Sequence, residues 1–293
     1  MRILGVHGIG NYWEGLDAGP AAEHMAGTWR RNLARGPLGE AAESYDLTVA
    51  YYAHLLQEAG GQSVGGGVPL AGLSVGAERS LRWWLEELEL PAEPPQGLLT
   101  WPFRQALSFV ANREKLDPER VEAFADRHVE EVAAYFSTAN ESRRRTRARD
   151  VVLGALRERS PQVVIAHSLG SVVAYEALWR YGDEGGAPVD LLITLGSPLA
   201  IPHAVFHRLD PAPSADGLGA RPPVVRRWVN IADIGDVVAV PKGGVARRFL
   251  GVTEDITQRI HAFDFHLVAN YLATGAVARA LNSVTVAGEP AGS

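Results

Sequence analysis

Short apolar runs alternate along this chain with stretches whose apolar positions recur every three or four residues. The runs at 3–6, 47–53, 163–166, 191–195 and 224–231 predict buried strands. The periodic stretches predict helices at 21–33, ended by Gly36-Pro37, at 142–157, ended by Ser160-Pro161, and at 266–281. Asp117-Pro118-Glu119 reads as a helix start, with Asp117 as N-cap and Pro118 in the first helical position. Val121, Phe124, Ala125, His128, Val132, Tyr135 and Phe136 then trace one face. Strand and helix alternate, the order that a parallel sheet with crossover helices requires. The expectation is an α/β fold with a mostly parallel central sheet and helices on both faces.

One stretch breaks this rhythm. Gly60, Gly61, Gly65, Gly66 and Gly67 mark a loop, and 81–90 is amphipathic, carries Trp83-Trp84 and ends at Pro91, Pro94 and Pro95. Trp101, Phe103, Leu107 and Phe109 follow at roughly helical spacing. Residues 55–116 therefore read as an insertion, a helical cap that shapes a pocket on a single domain spanning 1–293. The Gly/Ala/Pro-rich tail, 286–293, is expected to fray. No internal repeat is visible.

With 293 residues, 46% of them hydrophobic, the chain can bury a large core. Its net charge is −6, and it carries no basic stripe of the kind that nucleic-acid backbones require. The local basic run Arg143-Arg144-Arg145-Thr146-Arg147-Ala148-Arg149 reads as the solvated face and start of a helix. No cysteine is present, which excludes disulfides, thiolate zinc sites and cysteine nucleophiles and fits a cytoplasmic home. The start, Met1-Arg2-Ile3-Leu4-Gly5-Val6-His7, breaks into Gly and Asn too early for a signal peptide. No apolar run reaches membrane-spanning length, so no stable membrane insertion is expected.

The richest chemistry lies where the third run ends. Val163-Val164-Ile165-Ala166-His167-Ser168-Leu169-Gly170-Ser171 leads a strand through small-x-Ser-x-Gly into a helical pattern. That is the order of a nucleophile elbow, in which a strained turn holds a serine with its hydroxyl exposed. Ala166 stands where a glycine is usual, and it is still small enough for the turn to close. The next backbone N–H, on Leu169, points at the same space and can bind a developing oxyanion. The glycine-rich loop His7-Gly8-Ile9-Gly10-Asn11 after the first strand can supply a second donor, from Ile9 or Gly8. That loop lacks the lysine of a Walker loop and the full dinucleotide spacing, so phosphate binding is not its reading.

An elbow serine needs a base and the base an orienting carboxylate, which follow it in the chain as acid, then histidine. After the strand that carries Trp228-Val229-Asn230-Ile231, both Asp233 and Asp236 occur; Asp236 is preferred, and Asp233 reads as a brace of the same loop. His261 and His266 are late enough to be the base. His266 is preferred because it opens the last helical pattern. His203 and His207 come before the acid, and His167 reads as packing beside the nucleophile. No helix-spaced ligand pair such as His-Glu-x-x-His exists, so no metal and no cofactor is expected.

Val6-His7-Gly8-Ile9-Gly10, Ala166-His167-Ser168-Leu169-Gly170-Ser171, Thr194-Leu195-Gly196-Ser197-Pro198-Leu199, Trp228-Val229-Asn230-Ile231 and the late histidine occur in that order. Together they resemble the α/β-hydrolase superfamily. Within it they are similar to serine esterases and lipases of the triacylglycerol-lipase and GPI-inositol-deacylase-like branch. The resemblance covers most of 1–53 and 117–281 and omits the insertion. It implies a triad of Ser168, Asp236 and His266, the last placed ahead of the Tyr271-Leu272 pair. Gly235-Asp236-Val237 departs from the more common Asp-Pro at the acid.

The expected activity is serine acyl hydrolysis of a small-molecule ester with an apolar portion, through an acyl-enzyme, with Leu169 and Ile9 at the oxyanion. The same machinery serves a thioesterase, a peptidase or a cyclising acyltransferase. The contrasting expectation is a non-catalytic binding module, in which serine, histidine and acid need not converge.

Overall fold

The computed structural model describes residues 1–56, 75–88, 103–114, 117–137, 141–260 and 266–287. In chain order the elements are β1 (Arg2–Val6), α1 (Ala18–Arg35), β2 (Asp46–Ala50), α2 (Ala53–Leu56), α3 (Val75–Glu86), α4 (Phe103–Glu114), α5 (Pro118–Tyr135) and α6 (Glu141–Arg159). They continue with β3 (Val163–His167), α7 (Leu169–Asp183), β4 (Val189–Leu195), β5 (Gly219–Ala220), β6 (Val225–Asp233), α8 (Gly244–Arg248), β7 (Phe249–Leu250), β8 (Glu254–Gln258), α9 (Val268–Leu272) and α10 (Gly275–Ala287).

Six strands form one sheet in the order β2-β1-β3-β4-β6-β8, every neighbouring pair parallel. Strand periodicity divides its side chains between two cores. Leu4, Val6, Val164, Ala166 and Leu192 face the layer that contains α3, α5, α6 and α7. Ile3, Val163, Ile165, Leu191 and Ile193 face α1, α9 and α10. Burial on both faces is why these strands read as unbroken apolar runs. Helix α7 is hydrophobic nearly all round because it lies inside the first layer, with Leu169 to Leu178 buried without a break.

The chain moves from β1 outward to β2 and returns to the other side of β1 at β3. This reversal makes the C-terminal ends of β1 and β3 a topological switch point, the kind of place where open parallel sheets bind ligands. The loop after β1 and the turn after β3 are the two segments singled out by sequence.

Several elements differ from expectation. The strand predicted at 47–53 stops at Ala50, because the Tyr52 N–H leaves the ladder for His7 Nε2 (3.1 Å). The helix predicted at 81–90 runs over Val75–Glu86, and the prolines expected to end it lie outside the described residues. The helix predicted at 266–281 is two helices, α9 and α10. Thr274 separates them: its Oγ1 donates to Tyr271 O (2.8 Å) and accepts from Val277 N (3.3 Å), capping α10. Strand β8 was not predicted; it is a short polar edge strand, Glu-Asp-Ile-Thr-Gln, without an apolar run. The basic run is not merely solvated. Arg145 Nε donates to buried Glu176 of α7 (3.1 Å), and Arg149 Nη1 pairs with Asp210 Oδ2 (2.5 Å).

Asp117 caps α5, its Oδ1 accepting from Glu119 N (3.0 Å). Helix α5 packs against both α3 and α4, so the three described helices of this region form one layer. Residues 57–74, 89–102 and 115–116 of the expected cap, and 288–293 of the expected tail, lie outside the described residues. Among the described residues no helix is long and apolar enough to cross a membrane.

Candidate active site

Ser168 sits between the last residue of β3 and the first of α7, with φ 55° and ψ −132°. A non-glycine residue at positive φ is strained, and such strain persists only where the surroundings enforce it. Here the enforcement is steric. The turn presses the start of α7 onto the end of β1, and a Cβ at Gly170 would lie 2.3 Å from His7 O and 2.4 Å from Val6 O. The Ser168 N–H is held by Leu195 O (3.0 Å) at the end of β4. Leu169, first in the helix, carries an N–H with no acceptor inside the helix.

The elbow pattern predicts an exposed hydroxyl, whereas Ser168 is 0% exposed. The first loop lies directly over it. A Cβ at Gly8 would come within 2.6 Å of Ser168 Cβ, so only glycine allows this approach. The loop itself is braced. Tyr52 N–H donates to His7 Nε2, so His7 is the tautomer whose Nδ1–H donates to Gly8 O (2.7 Å). Burial lowers the His7 pKa from 6.5 to about 4 and keeps the ring neutral. Asn11 Nδ2 donates to the carbonyls of Gly8 (2.9 Å) and Ile9 (2.8 Å). The Gly10 N–H goes to Glu131 Oε1 of α5 (3.0 Å), tying the loop to the helical layer.

The loop after β6 and the start of the C-terminal helices supply a buried acid–imidazole pair. His266 Nδ1 lies 2.7 Å from Asp236 Oδ2. Asp236 is fully buried, and burial alone would raise its pKa. His266, Lys242 and Tyr271 outweigh burial and hold the carboxyl well below its usual range. Its Oδ1 accepts from Val238 N (2.8 Å), and its Oδ2 also accepts from the Tyr271 hydroxyl (2.6 Å). Burial, then Asp236, raises the Tyr271 pKa well above 10, so that hydroxyl stays a donor. Lys242 Nζ binds the carbonyls of Asp233 (3.0 Å) and Asp236.

The two halves meet at Gly196 and His167. The Cβ position of Gly196, the residue after Leu195, is 2.8 Å from Asp236 Oδ2 and 3.0 Å from His266 Cε1. The ring of His167, the residue before Ser168, stands 4.7 Å from that of His266 between centroids. Burial, and then His266, pushes the His167 pKa well below 6.5. The structure thus brings Ser168, Asp236, His266, Leu169 and the Ile9 loop to one end of the sheet.

Asp233 instead braces its loop, its Oδ1 accepting from Gly235 N (3.0 Å) and its Oδ2 from Ile260 N (3.2 Å). His261 lies outside the described residues. His203 and His207 are an exposed pair beside Trp83. Sequence reasoning missed the hydroxyl of Tyr271 and the ammonium of Lys242. Tyr271 reads as part of an apolar helix face, so its spacing carries no trace of the polar role. Among the described residues no group of three or more His, Asp or Glu side chains could hold a metal ion.

No family model, curated protein or solved structure matches the chain. The fold established by the coordinates is α/β, with a six-stranded parallel sheet flanked by helices.

Proposed function

We propose that this protein is a serine acyl hydrolase of the α/β-hydrolase kind, with Ser168 as nucleophile, His266 as base and Asp236 as its orienting acid. The observation that carries the reading is the buried His266–Asp236 pair, 2.7 Å apart, at the same end of the sheet as a serine strained at a strand-to-helix turn. The chain order serine, acid, histidine and the switch point between β1 and β3 support it further.

In this reading Asp236 accepts a hydrogen bond from the Nδ1–H of His266, which leaves the basic lone pair on Nε2. Ser168 Oγ attacks the acyl carbonyl and passes its proton to Nε2. The tetrahedral oxyanion is held by the N–H groups of Leu169 and Ile9, each such donor contributing about 3 kcal/mol to the transition state. Collapse expels the alcohol, which takes the proton from Nε2. Water then attacks the acyl-enzyme, with His266 again as base, and releases the acid. Because Ser168 is buried, turnover requires the first loop and the helical layer tied to it through Glu131 to move apart. When they close again they exclude water from the reacting centre.

Steady-state hydrolysis of p-nitrophenyl esters by wild type and Ser168→Ala tests the assignment. The variant is expected to lose about 10⁴-fold or more in kcat/KM. Equal hydrolysis by the two purified proteins would reject Ser168 as nucleophile.

A further inference from the structure

No step of the proposed reaction uses the imidazole of His167, although it ends β3 one peptide bond before Ser168. The residue is 6% exposed. Its ring meets three other parts of the site. On the side of the first loop, the Cβ position of Gly8 is 3.1 Å from His167 Nδ1. The ring of His266 lies 4.7 Å away between centroids, tilted by 36°. The ring of Tyr271, which donates to Asp236, lies 5.9 Å away. His167 therefore stands between the oxyanion loop and the acid–imidazole pair.

The ring is not there as a hydrogen-bonding group. Its Nε2 is closed to solvent and has no hydrogen-bond partner among the described residues. A buried polar atom left in this way is costly, and a hydrocarbon side chain would avoid the cost. An orphaned group of this kind calls for a reason other than stability. What the ring does offer is a flat face against His266. The hydrogen bond to Asp236 fixes the Nδ1 end of the His266 ring at 2.7 Å but leaves the ring free to rock about that bond. Rocking displaces the opposite atom, Nε2. A second contact on the ring face stops it, and this contact comes from the residue bonded to Ser168.

We propose that His167 is a positioning residue: its ring face holds the plane of the His266 imidazole, so that Nε2 keeps its aim at Ser168. The proposal rests on the serine hydrolase reading above. Two further properties of the ring suit the task. Five-membered and flat, it is narrow enough for the tight space beside Gly8. Burial, and then His266, keeps it neutral, so it adds no positive charge against the imidazolium that forms on His266 during the reaction.

The test measures p-nitrophenyl butyrate hydrolysis and urea unfolding at pH 8 for the full chain, His167→Leu and His167→Phe. In His167→Leu the flat face is lost and the unpaired nitrogen is gone. Its urea midpoint should equal or exceed that of wild type, while kcat falls by about tenfold to a hundredfold and KM changes by less than about twofold. His167→Phe keeps a flat face and should retain kcat to within about threefold. Where the wider ring of Phe lowers the urea midpoint, the Leu comparison decides alone. A wild-type kcat in His167→Leu, a loss confined to KM or to stability, or equal losses of kcat in stable Leu and Phe variants would overturn this proposal alone. No ester hydrolysis by wild type, together with no labelling of Ser168 by a fluorophosphonate, would overturn the hydrolase reading and the role of His167 with it.

Discussion

The two halves of the candidate site are held by different physics. Around Ser168 the geometry is stored in backbone contacts: a strand, a tight turn and a helix, with glycines where main chains touch. Around Asp236 and His266 it is stored in side-chain hydrogen bonds between residues some 30 positions apart. A steric arrangement of the first kind tolerates almost no added volume. A polar network of the second kind tolerates volume-conserving changes and depends on which groups carry charge. The position of Ser168 is thus inseparable from the fold, whereas that of His266 can be adjusted one hydrogen bond at a time.

The largest effect should come from the steric half. In Gly170→Ala the new methyl would sit within 2.4 Å of two main-chain carbonyl oxygens, so β1 and α7 must separate. A loss of about 3 kcal/mol in urea unfolding is expected. A loss below 1 kcal/mol would show that this contact is soft and break the contrast.

The pH dependence of stability sharpens it next. His7, in the first loop, titrates near 4 when folded and near 6.5 when unfolded. The unfolded chain therefore binds the proton first as pH falls. The His7 contribution is fully present above pH 6.5 and is lost between there and about 4, at up to about 1.4 kcal/mol per pH unit and about 3 kcal/mol in all. His167 adds a loss of the same sign. Asp236 acts in another window. Its folded pKa lies below the ordinary carboxylate value, so its contribution persists down to about pH 4 and disappears only below. His7→Asn should flatten the urea-midpoint profile between pH 6.5 and 4, and Asp236→Asn only below 4. Interchanged windows would refute the assignment.

The smallest effect probes the polar network. Tyr271→Phe removes a 2.6 Å donor to the Asp236 carboxylate while keeping the ring. It should lower stability by about 2 kcal/mol and kcat by about tenfold, with KM little changed. An unchanged kcat would leave Tyr271 a packing residue.

The same contrast explains what was legible in the sequence. Strands and helices that carry one apolar period appeared near their observed positions, and the elbow appeared because its residues are contiguous. β8 did not, because a polar edge strand has no apolar run. The C-terminal pair of helices was read as one, because apolar spacing continues through Thr274 while its hydroxyl caps the second helix. Arg145 reads as solvated until Glu176, on another helix, is brought beside it. Asp236 and His266 could be ordered along the chain but not joined. Their meeting is a tertiary fact, as is the hydroxyl of Tyr271.

The most direct test is covalent. Wild type and His266→Ala are treated with a small fluorophosphonate, and the modified peptide is identified by mass spectrometry. One adduct per chain is expected, on the peptide containing Ser168, forming about a thousandfold more slowly in the variant. An adduct elsewhere, or labelling of Ser168 at the same rate without His266, would contradict it.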